Sequence, residues 1–204
     1  MSVSPSLDEL QRNGFPMGGE PLVALDLADT VMTAVDPEQD LLSSAERSAV
    51  WWAIEQIRLP EAPVPDPAAI RRLRTAIRGL LDAHLAGRTP EPTAFEDVNA
   101  VAASVPTSLR LVRGESGELQ AQNRWHTEHG GNAALAAIAR EAIDLLSSPA
   151  QLSRLRRCAN PTCSMLFLAE TKRRQWCTPN ICGNRARVAR HYQRTHSADA
   201  QEQD

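Results

Sequence analysis

All four cysteines of the 204-residue chain fall in two close pairs, Cys158 and Cys163 in "CANPTC" and Cys177 and Cys182 in "WCTPNICGNR". Thiols in this pattern can close disulfides, serve as redox nucleophiles or take up a metal ion. Zinc prefers four soft or borderline ligands in a tetrahedron, and two close thiolate pairs supply a closed site with no position left for water. The N-terminal "MSVSPSLDELQRNGFPMGGEP" carries acids, proline and glycine where a secretion signal needs a basic start and an apolar run. The chain is therefore expected in the cytoplasm, where stable disulfides are rare. One zinc per chain, bound by Cys158, Cys163, Cys177 and Cys182, is the expected arrangement, with iron the rival metal. A module of about 40 residues builds little core of its own and depends on its metal to fold.

These ligands need elements to hold them. Between the pairs, "SMLFLAETKRRQWC" has Met165 and Phe167 in alternation, a polar turn near Glu170 to Lys172 and a return over Gln175 to Cys177, which predicts a hairpin. After Cys182, "GNRARVARHYQRTH" lacks proline and predicts a helix whose first turn carries the last ligand. Its free N–H groups and positive dipole end favour thiolate there. Knuckle, hairpin and helix in this order describe a treble-clef zinc finger. Gly183 is expected to let the backbone approach the metal sulfurs, and Asn184 to bond the knuckle or cap the turn. On the helix, Val188, Ala189 and Tyr192 share a side that can pack on the hairpin.

Charge singles out the same region. Residues 151–196 hold ten Lys or Arg against Glu170 alone, a net +9, while residues 1–150 carry −9 and the last eight −3. An acidic body bearing a basic module points to a polyanion partner. Lys172, Arg173 and Arg174 in the turn, with Arg185, Arg187, Arg190 and Arg194 on the helix, are the candidate nucleic-acid contacts. Arginine can fork onto phosphate oxygens and read guanine in the major groove. Arg185 is equally placed to brace the finger. If six charges reach phosphates, log affinity should fall with log salt at a slope near −5. Trp176 is expected as packing beneath the hairpin, because one aromatic makes no stacking platform.

"RRQWCTPNICGNRARVARHYQR", with "CANPTCSMLFL" upstream, resembles the CGNR zinc-finger family, named for the tetrad standing here at Cys182, Gly183, Asn184 and Arg185. "LVALDLADTV", "LRTAIRGLLDA", "FEDVNAVAASVP" and "EAIDLLSSPAQLSRLRRC" resemble the ABATE domain that accompanies this finger. Ala24, Leu27 and Ala28 depart from that family's commoner "LCLDFVNT". The resemblance implies a stress-induced transcription regulator whose finger binds DNA.

Upstream of the finger, residues 1–20 read as a flexible tail, 21–150 as an ABATE-like domain and 197–204 as an acidic tail, with the finger at 151–196. "PLVALDLADTV" predicts a short buried strand. "SSAERSAVWWAIEQI" predicts a helix with Ser43 and Glu46 at capping-box spacing and Val50, Trp51, Ile54 and Ile57 on one face. Trp51 and Trp52 point about 100° apart, which sends one into the core and the other to its rim. "DPAAIRRLRTAIRGLLDAHLAG" has Asp66 to cap it, Pro67 at its first position and Gly87 to stop it. A shorter helix follows over 95–103. Alternating Leu109 and Leu111 before "GESG" predict a hairpin, and 131–146 a last helix facing a core. The fold class is therefore α+β: a helix-rich N-terminal domain with a small antiparallel sheet, plus the finger.

One finger seldom supplies enough contacts for tight specific binding, so a regulator of this kind would homodimerise, add DNA contacts or bind with a partner. The body is expected to sense a small-molecule effector or mediate assembly, with Asp26, Asp29 and Thr30 as candidate ligand-lining residues. No apolar run is long enough to span a bilayer. His126, Glu128 and His129 lie close in sequence but without further ligands or an orienting group. No phosphate-cradling loop, HExxH or GxSxG motif occurs, so an enzyme is not expected. RNA binding, protein docking and an enzyme site in the body are the alternatives.

Overall fold

The computed structural model describes residues 7–15, 20–34, 37–189 and 192. Arg190, His191, Arg194 and the acidic tail lie outside the described residues. Helix α1 spans Leu7–Arg12 and α2 spans Val23–Ala28. Strands β1 (Val31–Met32) and β2 (Gln39–Asp40) pair antiparallel. Helices α3 (Ala45–Glu55), α4 (Pro67–Leu85) and α5 (Pro92–Ala103) follow, then the β3–β4 hairpin (Thr107–Arg113 with Leu119–Trp125) and α6 (Ala133–Leu146). A short α7 (Pro149–Leu152) leads directly into the finger.

The core lies where α2, α4, α5 and α6 meet. Helix α4 forms where its sequence predicts: Pro67 occupies the first turn, where its missing N–H leaves nothing unpaired, and Gly87, at φ +61, ends it, but Asp66 stands at the N-cap without a side-chain cap bond. Ile70, Leu73, Ile77, Leu80 and Leu81 are buried along it. Asn132 caps α6 by accepting from the amides of Ala134 and Leu135.

Two expectations for the body are corrected. "VALDLA" is a helix, not a strand, with all six residues buried. A short segment covered on every side shows neither periodicity. It has no side-chain cap of its own; Glu141 of α6 accepts from the Ala24 amide instead. In α3 the cap is Ser44, which accepts from the Arg47 amide, and the buried face runs through Ser48, Trp51, Trp52 and Glu55. Both tryptophans are therefore in the core, while Val50 and Ile57 are exposed. Two polar residues on the inner face disguised its direction. The predicted hairpin forms, and the face that carries Leu109 and Leu111 looks into solvent.

Within 1–20, Leu10 and Phe15 enter the core, and Arg47 sits over the Phe15 ring at 4.5 Å.

In the finger, β5 (Leu155–Arg157) pairs antiparallel with β6 (Leu166–Leu168) across the first cysteine pair. The predicted hairpin joined β6 to 175–177 instead. That return segment makes one backbone bond across to the knuckle, from the Ala159 amide to the Gln175 carbonyl, and forms no ladder. A single wide turn over Pro179–Gly183, closed by the Gly183 amide on the Thr178 carbonyl, leads into α8 over 184–189.

Candidate metal centre and nucleic-acid interface

The knuckle between β5 and β6 carries Cys158 and Cys163, and the wide turn brings in Cys177 and Cys182. All four cysteines are buried, unbridged, and have their sulfurs within 4.8 Å of one another. Cys163 Sγ and Cys177 Sγ stand 3.7 Å apart. Zn–S bonds of about 2.3 Å in a tetrahedron put sulfurs about 3.8 Å apart, so the donor set fits one zinc ion. Sulfurs this close govern one another's protonation. Hydrogen bonds from the Cys163 and Cys177 thiols hold Cys158 down to about 2, while the Cys158 thiolate pushes Cys163 up to about 12 and Cys177 higher still. Thiolates this close can all be deprotonated only around a cation.

The supporting shell differs from expectation. Asn160 binds the knuckle: its Nδ2 donates to Cys182 Sγ at 3.5 Å and its Oδ1 accepts from the Thr162 amide and hydroxyl. Asn184, expected in that role, is exposed. Asn160 was readable in "CANPTC" as a residue that turns chain and bonds locally. Gly183 faces the Thr178 carbonyl and the Trp176 ring, and a Cβ there would lie 3.4 and 3.6 Å from them, in ordinary van der Waals contact. Trp176 is half-buried against the cysteine cluster. Val188 and Tyr192, expected to pack on a hairpin, are exposed.

Strand β6 joins the centre to the body. Leu166 and Leu168 face the body core, whereas Met165, Phe167 and Ala169 face the cysteines, because successive strand residues point to opposite sides. Its outer edge is completed by side chains. Both Asp29 carboxylate oxygens accept from the Leu166 amide at 3.0 Å, Glu20 accepts from the Leu168 amide at 3.2 Å, and Arg78 Nη2 donates to the Ser164 carbonyl at 2.6 Å. Carboxylates thus occupy the position of a third strand and satisfy its free N–H groups. Arg78 also contacts Asp29 and Asp82, and Asp82 pairs with Arg157 of β5. Burial pushes the Asp29 carboxyl well above the usual range, against the pull of Arg78 and the Leu166 amide.

Of the residues singled out as ligand-lining, Asp29 sits in this seam, while the Arg58 pair of Asp26 and the bonds of Thr30 to Leu27 and Arg74 lie within the body. Asp26 is buried and pairs with Arg58 at 3.0 Å, Asp29 bonds β6, and the Thr30 hydroxyl donates to the Leu27 carbonyl while receiving Arg74. Beside them Glu55, fully buried, makes an ion pair with Arg58 Nε at 3.3 Å but no hydrogen bond. Burial raises its carboxyl to about 7, with Arg58 opposing. A folded-state pKa above the unfolded 4.5 means the fold holds this proton more tightly. The stability it contributes is complete below pH 4.5 and is lost as pH rises to about 7, a change of roughly 3 kcal/mol. Glu55→Gln should stabilise the protein at pH 8 by about 1–3 kcal/mol and flatten this window in denaturant titrations from pH 5.5 to 8; unchanged slopes would refute the assignment.

Of the candidate nucleic-acid contacts, Lys172, Arg173, Arg185 and Arg187 are exposed. Arg173 and Arg187 line a hollow of about 230 Å³ on one side of Trp176, and Arg185 lines another of about 370 Å³ with Asn160, Pro161 and Thr162. Arg174 is different. It donates to Glu20 and to the carbonyls of Leu168, Trp176 and Cys177, and lies over Phe167 at 4.5 Å, tying the turn to the seam. His126 is also oriented, contrary to expectation: Nδ1 meets Glu128 at 2.9 Å and Nε2 meets the Ser108 hydroxyl at 2.8 Å, which ties the root of the hairpin.

The fold and site define a zinc-binding module fused to a helix-rich α+β domain. The chain belongs to the ABATE family, described as "Putative stress-induced transcription regulator", whose sequence model matches residues 22–149. The CGNR zinc-finger model matches residues 154–195. Neither description is of an enzyme. A search of curated proteins finds no match. No helix among the described residues is long and apolar enough to cross a membrane.

Proposed function

We propose that this protein is a cytoplasmic DNA-binding transcription regulator, stress-related as the family description suggests, that holds DNA through its zinc finger without catalysing a reaction. The observation that carries this reading is that Lys172, Arg173, Arg185 and Arg187 of the finger are all exposed and make no ion pair with a described residue. Basic groups left in solvent beside a metal-fixed turn and helix are suited to phosphate oxygens. Arg174 is excluded from that set by its internal bonds. Arg190 and Arg194 extend the same stretch of sequence and are kept as contacts.

The body's part is to hold the finger and respond to an effector. Asp26, Asp29 and Thr30 are buried and bonded internally, so they would meet a ligand only if the fold opened around them. The cavity of about 300 Å³ between α4, α5 and α6, walled by Arg72, Asp97 and Asn132, offers a small molecule more room.

Four phosphate contacts give a log–log salt slope near −4, and six a slope near −5. The test is binding of zinc-loaded full-length protein to labelled genomic fragments over a salt series, beside Lys172→Ala/Arg173→Ala/Arg187→Ala. The expected result is a slope of −4 to −5 that falls by about 3 in the variant, with zinc still at one per chain. Equal, negligible affinity for both proteins overturns the reading. Tighter retention on structured RNA than on duplex DNA transfers it to RNA.

A further inference from the structure

Trp176 packs on the cysteine cluster yet stays half-exposed, and it lines both hollows of the finger. The two hollows differ in character. The one of about 230 Å³ gathers the guanidinium groups of Arg173, Arg174 and Arg187, with no carboxylate among the described residues that line it. Arg174 is held by Glu20 and by carbonyls, and Arg187 is steadied by the Pro179 carbonyl at 3.4 Å, so Arg173 and Arg187 are the charges left for an outside anion. The hollow of about 370 Å³ is walled by small or flat apolar groups, Pro161, Ala186 and Ala189, beside the indole. Arg185 also lines it, again with no acidic residue. Trp176 adjoins the ligand Cys177 and Arg185 follows the ligand Cys182 by one turn, so closing the metal site fixes the walls of both hollows.

We infer that the two hollows together seat one unpaired nucleotide of a DNA strand, its base stacked on Trp176 in the apolar hollow and its flanking phosphates on Arg173 and Arg187 in the basic one. This rests on the DNA-binding reading above and adds to it the state of the DNA. Charge and shape select the occupant jointly. A cationic hollow without carboxylates calls for an anion, and an apolar slot with an indole wall calls for a flat ring; a nucleotide in a strand carries both, and the two hollows share Trp176 as their common wall. A base inside a duplex is paired and stacked on both faces, so only one already unpaired, or turned out of the stack, can enter. The apolar hollow is at the small end of the roughly 300–1,000 Å³ of ligand seats, which suits a single base. Arg185 beside the slot presents a fork of donors to the edge of that base.

The test measures, by fluorescence anisotropy, the binding of full-length zinc-loaded protein to a perfect DNA duplex and to the same duplex with one bulged, unpaired nucleotide. Wild type should bind the bulged duplex at least about 5-fold tighter, the effect of one base–aromatic stack. The salt slope should be the same for both, because stacking releases no counterions. Trp176→Leu should abolish the preference and Trp176→Phe restore most of it. Ala189→Leu fills the slot from an exposed position and should also abolish the preference, with zinc at one per chain and affinity for the perfect duplex unchanged; it decides the matter if Trp176→Leu loses its metal. Equal affinity of wild type for the two duplexes overturns the inference while DNA binding by the finger stands, and so does a preference that survives Ala189→Leu. Binding to neither duplex overturns both readings. A free mononucleotide, deoxyguanosine monophosphate, that displaces the bulged duplex at equal concentration overturns the strand as occupant.

Discussion

Cys177→Ser should cost the protein its zinc and the stability of its body in one step. Structural zinc contributes about 10–16 kcal/mol in isolated finger peptides, which equals or exceeds the 5–15 kcal/mol of a typical domain. Here the loss would not stop at the finger. Met165 and Phe167 pack towards the cysteines, and the residues alternating with them, Leu166 and Leu168, complete the body core together with Leu155. A knuckle that no longer closes releases both sides of β6. The variant should hold less than about 0.1 zinc per chain by metal analysis, and the unfolding of Trp51 and Trp52, both in the body core, should shift with it. Strong chelation of wild type should do the same. If the body melts at its original temperature after zinc is gone, the two modules are independent and the seam is only a contact.

Asp29→Ala tests that seam with the metal left in place. The substitution leaves the buried Leu166 amide without an acceptor and removes a carboxylate from Arg78. A buried unsatisfied N–H costs about 1–3 kcal/mol, and a broken buried ion pair about 3–5. Arg78 keeps Asp82 and the Ser164 carbonyl, so a total near 3 kcal/mol is expected, or roughly 6–12 °C in melting temperature for a chain this long. Asp29→Asn retains an oxygen for Leu166 and should lose less than half as much. Equal losses in the two variants would mean that the amide bond is not what holds β6.

The metal centre was legible because ligand type and spacing are local properties. The helices with one apolar stripe, α4 and α6, were legible for the same reason, as was the hairpin with its glycine turn. The sequence misled where a polar residue sits inside or a short segment is covered all round. Ser48 and Glu55 turned the apparent face of α3, and "VALDLA" resembled a strand because six buried residues show no period. The seam was hidden more deeply. Asp29 and Leu166 are 137 residues apart, as Glu20 and Leu168 are 148, and no spacing rule links a carboxylate to a strand edge at that distance. Arg174 illustrates the cost: among basic neighbours it looked like a nucleic-acid contact, and only its carbonyl partners assign it to the fold.

The alternation along β6 also bears on how such a chain can be recombined. Residues 166 and 168 answer to the ABATE domain and residues 165 and 167 to the zinc finger, although they interleave in one short strand. A finger grafted from a relative would carry the correct cysteines and still present the wrong side chains to its new host. Swapped domains should therefore work only when the leucine positions, with the carboxylates at 20 and 29, travel as a matched set.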